Sequence, residues 1–122
     1  MKKLIALIGL MFWCVSCEPQ NPSLKDVSVE SLQEVLTTTK VQLLDVRTPQ
    51  EWEYGIIEGA ISINLFDEDF EKQALEKLDK REPVYVYCKS GGRSKKASEV
   101  LSKKGFEVYN VVGGYNEWKL KN

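Results

Sequence analysis

Apolar positions along this chain fall into two repeating patterns, one of period two and one near 3.6, and the two alternate from Leu32 onward. Leu32, Val35 and Leu36 recur at helical spacing. Val41 to Val46 is a short run of β type. Thr48-Pro49-Gln50-Glu51 opens a short helix, with Thr48 at the N-cap, Pro49 at the first helical position and Glu51 closing a capping box. Ile61-Ser62-Ile63 reads as a brief strand. Phe70, Ala74, Leu75 and Leu78 give the next helix one apolar face, and Asp67, Glu68 and Asp69 sit at its positive N-terminal end. Val84-Tyr85-Val86-Tyr87, after Pro83, reads as a buried strand. Ala97, Val100 and Leu101 form a helical stripe that stops at Gly105, a suitable C-terminal cap. Glu107 to Val112 is a further strand, and Tyr115 to Lys119 a last short helix. Strand and helix alternating over short connections predict an α/β domain, its mostly parallel sheet flanked by helices on both faces.

The first residues do not follow this alternation. Met1-Lys2-Lys3 is basic, and Leu4 to Val15 is continuously apolar. The run is shorter than the about 20 residues a spanning helix needs, and it suits the core of a secretory signal. It ends in Cys14-Val15-Ser16-Cys17 and then turns polar. A small residue directly before a Cys at that place resembles the lipobox of bacterial lipoproteins, with Cys14 standing where Leu is usual. The expectation is a lipoprotein-type signal over residues 1–17 with Cys17 lipidated. An ordinary cleaved signal or an uncleaved anchor is the blander alternative. Residues 18–25, rich in Pro, Asn, Gln and Ser, read as a tether, and residues 26–122 as the domain. The protein would then be exported and held on a membrane facing the periplasm or the cell exterior.

With 122 residues the chain has room for one ordinary domain. Its net charge of −1 lacks the basic excess of a nucleic-acid protein. It has no His, which removes the commonest general base and the commonest metal ligand. Neither a metal nor a cofactor is expected, and the domain is expected to be a monomer. If processing follows the lipobox, Cys14 leaves with the signal and Cys17 carries lipid. Cys88 is then the one remaining thiol, in a compartment that usually pairs its cysteines.

Candidate chemistry concentrates in Cys88-Lys89-Ser90-Gly91-Gly92-Arg93-Ser94, between a predicted central strand and a predicted helix. Ligands of open α/β sheets bind just beyond the carboxyl ends of the strands. Successive N–H groups in such a turn form an anion nest, for which Gly91 and Gly92 supply backbone freedom. The following helix adds positive potential, and Lys89 and Arg93 add formal charge. All of this favours a thiolate at Cys88 beside a pocket for an anion. A buried core Cys is the ordinary alternative, but Lys, Ser, two Gly and Arg make a poor core segment. Lys95 and Lys96 read as a solvated helix face.

Four segments together resemble the rhodanese-like domain family, over about Asp26 to Trp118. They are Leu44-Asp45-Val46-Arg47-Thr48-Pro49-Gln50-Glu51-Trp52, Gly55-Ile56-Ile57-Glu58-Gly59-Ala60-Ile61, the Cys88–Ser94 loop, and Val112-Gly113-Gly114-Tyr115 with Trp118. The resemblance implies a five-stranded parallel sheet flanked by helices. It implies that Cys88 attacks the sulfane sulfur of a donor such as thiosulfate. A Cys88 persulfide then passes sulfur to cyanide or a thiol, the latter on a small molecule or a protein. Lys89 to Ser94 would form the cradle. Asp45, Arg47 and Glu51 read as structural, with Glu51 as a partner for Arg47. One departure is Ile56, where the family often has His.

Cys-dependent phosphatases and arsenate reductases on this fold place one residue more between Cys and Arg. The four residues between Cys88 and Arg93 fit a single sulfur atom better than a tetrahedral oxyanion. A binding module that has lost catalysis is disfavoured by the retained Cys and loop. A thiol–disulfide oxidoreductase is disfavoured because no Cys-x-x-Cys pair accompanies Cys88.

Overall fold

The computed structural model describes residues 23–122. The expected signal, Cys17 and most of the expected tether lie outside these residues. In chain order the elements are β1 (Leu24–Val27), α1 (Val29–Thr38), β2 (Gln42–Asp45), α2 (Pro49–Trp52) and β3 (Ile61–Ser62). They continue with α3 (Phe70–Lys77), β4 (Val84–Tyr87), α4 (Gly92–Lys103), β5 (Val108–Val111) and α5 (Gly114–Lys121).

All five strands pair in parallel, in the order β1-β5-β4-β2-β3. The period-two pattern divides each inner strand between two cores, because successive strand residues point to opposite faces. Leu44, Val84, Val86 and Val108 join Phe70 and Ala74 of α3 and Ala97 and Leu101 of α4 on one side. Leu43, Tyr87 and Val111 join Val29 and Leu32 of α1 on the other, with Tyr115 and Trp118 of α5 packed against them. A sheet covered on both faces explains why β4 reads as an unbroken apolar run.

Two expectations change at this level. The segment read as tether up to residue 25 ends sooner: Leu24 and Lys25 belong to β1, an edge strand on β5. Its two central residues, Lys25 and Asp26, are exposed and polar, as suits an edge strand, while Leu24 and Val27 at its ends are partly buried. Leu75 does not lie on the buried face of α3; it is exposed, while Phe70, Ala74 and Leu78 are buried. Position 75 lies about 100° around the helix from 74, enough to carry it off the stripe.

The sheet order creates the site. From β2 the chain steps outward to β3, then crosses back to place β4 on the other side of β2, and continues outward to β5. Direction reverses between β2 and β4, and their carboxyl ends flank the resulting crevice. Asp45 ends β2, and Cys88 follows β4.

Candidate active site

Cys88 is the only cysteine among the described residues, and it is 1% exposed. Its backbone leaves β4 and turns into α4 over Lys89, Ser90 and Gly91. Gly91 is the N-cap residue, at φ +123, where a side chain would be strained. That turn brings the Gly91 N–H onto Cys88 Sγ at 3.0 Å, with Ser94 Oγ 3.5 Å away on the first turn of α4. Burial pushes the Cys88 thiol up. The Ser94 hydroxyl and the N–H groups of Ser94, Gly91 and Ser90 outweigh it and hold the thiol below its ordinary range. Gly92, read from the sequence as a second flexible position, is an ordinary helical residue with open space where a side chain would point.

A second helix holds the loop from behind. The Tyr115 N–H donates to Cys88 O at 2.8 Å, and the Asn116 N–H donates to Lys89 O at 3.0 Å. Unpaired N–H groups at the start of α5 thereby satisfy carbonyls of the reactive loop. The approach requires Gly114, at φ +55. A Cβ there would run into the Cys88 carbonyl oxygen and the Lys89 backbone.

The charged residues pair differently from the sequence expectation. Glu51 does not partner Arg47. It takes both Nη atoms of Arg93, at 2.7 and 2.9 Å, while its backbone and carboxylate complete the capping box with Thr48. The Arg93 and Thr48 bonds draw the Glu51 carboxyl down to about 2 against the cost of burial. Arg47 instead grips Asp45 through Nε and Nη2, with Nη2 2.7 Å from Asp45 Oδ2. Both side chains are buried. Residue 47 lies two positions beyond 45, so the pair closes at the end of β2 without reaching α2. The guanidinium also donates to Gly55 O at 2.7 Å, and the Ile57 N–H donates to the Tyr87 hydroxyl at 3.0 Å. Those two bonds fix the backbone on either side of Ile56, whose side chain is left 42% exposed.

Arg93 therefore reaches the loop with its charge already met by Glu51. Lys89 opens instead onto a cleft of about 190 Å³, shared with Arg47, Glu51, Tyr54, Tyr115, Asn116 and Lys119. Most of the site residues named from the sequence fall into two groups. Cys88, Ser90, Gly91 and Ser94 meet at the sulfur and Asp45, Arg47, Glu51 and Arg93 brace the walls, while Lys89 faces the cleft and Gly92 belongs to neither group.

Sequence reading missed Asn110 and Asp26. Asn110, on β5, is buried. Its Oδ1 accepts from the Ser94 hydroxyl at 2.6 Å, and its Nδ2 donates to Asp26 Oδ1 on β1 at 3.1 Å. A polar amide within an otherwise apolar strand pattern was the available signal, since buried polar groups need partners.

A five-stranded parallel α/β sheet with a buried thiol at its switch point, approached by the Gly91 N–H of the loop after β4, defines a class of thiol-bearing α/β domains. Comparison with known proteins is consistent with that class: the model for the rhodanese-like domain matches residues 28–121. The chain belongs to the rhodanese-like domain family. It is 42% identical over 80 residues to the protein YqhL of Bacillus subtilis, covering 65% of this chain and 61% of that one. It is 31% identical over 101 residues to the thiosulfate sulfurtransferase GlpE of Shewanella oneidensis, covering 82% of this chain and 97% of the relative. Among solved structures, a rhodanese-like domain protein from Staphylococcus aureus superposes with a TM-score of 0.70 at 35% identity, over 77% of this chain and 90% of the other.

Proposed function

We propose that the protein is a sulfurtransferase whose Cys88 accepts a sulfane sulfur from an anionic donor such as thiosulfate and hands it to a thiophilic acceptor, cyanide or a thiol. The observation that carries this reading is the Gly91 N–H on Cys88 Sγ at 3.0 Å, inside a loop whose neighbouring N–H groups also serve the sulfur. In the first step the thiolate attacks the outer sulfur of thiosulfate. A Cys88 S–S bond forms, the donor's S–S bond breaks, and sulfite leaves with the bonding pair. In the second step the acceptor attacks the outer sulfur of the persulfide, and Cys88 departs as thiolate. No general base is needed while the thiol is held low. Lys89, Lys119 and Arg47 outnumber the one carboxylate, Glu51, on the lining of the neighbouring cleft and leave it a positive charge that attracts an anion.

The test is to incubate the purified protein with thiosulfate and weigh it. One added sulfur on the Cys88 peptide is expected, released by cyanide as thiocyanate and absent in Cys88→Ser. A folded protein that gains no mass would instead support a binding module. From the apolar run ending in Ser16-Cys17 we further propose that the domain lies outside the cytoplasm, on a lipid attached at Cys17. Cys17→Ser is expected to release the protein from membranes, and continued retention overturns that part.

A further inference from the structure

The neighbours of Ser94 form a chain of hydrogen bonds that runs from the surface to the reactive sulfur. Asp26 Oδ1 accepts from Asn110 Nδ2, Asn110 Oδ1 accepts from Ser94 Oγ, and Ser94 Oγ accepts from Cys88 Sγ. As a carboxylate, Asp26 only accepts, so it must face the amide nitrogen of Asn110. The amide oxygen is thereby turned toward Ser94, and an amide oxygen also only accepts. The single hydroxyl proton of Ser94 is committed to Asn110, and a lone pair is what Ser94 shows to Cys88. That arrangement suits a Cys88 S–H, which donates. A thiolate or persulfide anion gains the stabilising bond of the Ser94 hydroxyl only when that proton turns from Asn110 toward sulfur.

We propose that Asp26 and Asn110 are positioning residues for Cys88: they set the direction of the Ser94 hydroxyl, so that the hydroxyl stabilises anionic sulfur only at the cost of an unpaired Asn110 oxygen. This inference rests on Cys88 as the reactive sulfur and adds a control on its charge state. The other acceptor near Ser94, the Gly91 carbonyl at 3.0 Å, also receives the Lys95 N–H, so it keeps a partner when the proton leaves. Asn110 Oδ1, 3% exposed with its residue, has no such second donor among the described residues. The charged groups around the sulfur are Lys89 in the loop, Arg93 of α4 held by Glu51 of α2, and the Asp45–Arg47 pair at the end of β2. Lys95 lies beside Asp26 at 3.6 Å. None of these supplies or withdraws the Ser94 proton.

Asp26→Asn separates this account from a simple charge effect. Lys95 favours the carbonyl oxygen of the new amide, which leaves its NH₂ facing Asn110. Asn110 must then turn its oxygen outward and its NH₂ toward Ser94, which frees the hydroxyl proton for sulfur. The experiment follows alkylation of the full-length protein by iodoacetamide against pH, read at the Cys88 peptide by mass spectrometry. This readout needs no sulfur transfer, so it stands apart from failure of the thiosulfate test. The Asp26→Asn midpoint is expected to fall by about one unit, roughly tenfold more thiolate below both midpoints. In a Ser94→Ala background the same substitution is expected to do nothing. An equal fall in both backgrounds would show a through-space charge effect and overturn the proposal, as would an unchanged or raised midpoint in Asp26→Asn alone. Asn110→Leu, which removes the competing acceptor, gives a second route to the same fall.

Discussion

At the scale of single residues, two glycines near Cys88 look alike in sequence and behave oppositely in structure. Gly114 sits at φ +55 with its missing side chain replaced by the Cys88 and Lys89 backbone. Gly114→Ala is expected to cost about 2–4 kcal/mol from strain and displacement of the loop, and to slow sulfur loading of Cys88; urea midpoints and intact mass check the two effects. Gly92→Ala, with open space around it, is expected to hold or raise stability by up to about 0.5 kcal/mol. The Glu51–Arg93 pair carries a pH signature. The folded Glu51 carboxyl lies at about 2, below its ordinary 4.5, so its contribution is complete above that ordinary value and is lost as pH falls toward 2. Subtracting the pH–stability profile of Glu51→Gln from that of the parent should leave a decline confined to that window; a flat difference would mean that the ion pair contributes nothing. Cys88, the capping box and the anion loop were legible because each is a local motif. The Glu51–Arg93 pair was not, since its partners lie 42 positions apart and meet only through sheet order.

At the scale of elements, α4 does two jobs with one face. Its first turn carries Ser94 to the sulfur, and the same face continues through Ala97, Ser98 and Leu101 against the sheet. The helical stripe was legible from the spacing of Ala97, Val100 and Leu101, but the buried serines were not, because serine in a helix pattern ordinarily marks the solvent side. Ser98 is fully buried and its hydroxyl finds no partner among the described residues. Ser98→Ala is therefore expected to stabilise the protein by about 0.5–1.5 kcal/mol, from a better helix former and the loss of an unpaired polar group. A loss of stability in chemical denaturation would mean that the hydroxyl is bonded after all. The tail helix α5 shows the converse. Its apolar pattern is weak, and its position is set by two N–H groups clamping the reactive loop and by Tyr115 and Trp118 on the opposite core.

At the scale of the whole molecule, strand order connects the far edge of the sheet to the site. β1 was the element least legible in sequence: four residues, polar at its centre, next to a run of linker composition. It nevertheless closes one side of β5, accepting the Val112 N–H on Val27 O at 2.8 Å, and it brings Asp26 opposite Asn110. Leu24 and Val27 each pack against a different core. A chain beginning at Ser28 should therefore differ from one beginning at Ser23 in two measurable ways. Losing two partly buried side chains and one strand pairing is expected to cost about 2–4 kcal/mol. β5 would become an exposed edge, so concentration-dependent association should appear alongside the lower urea midpoint. Removing Asp26 also releases the Asn110 amide, so in whatever fraction remains folded the Cys88 alkylation midpoint should fall, as in Asp26→Asn. A shortened chain that matched the longer one in stability and in Cys88 ionisation would show that the edge strand matters to neither the sheet nor the sulfur.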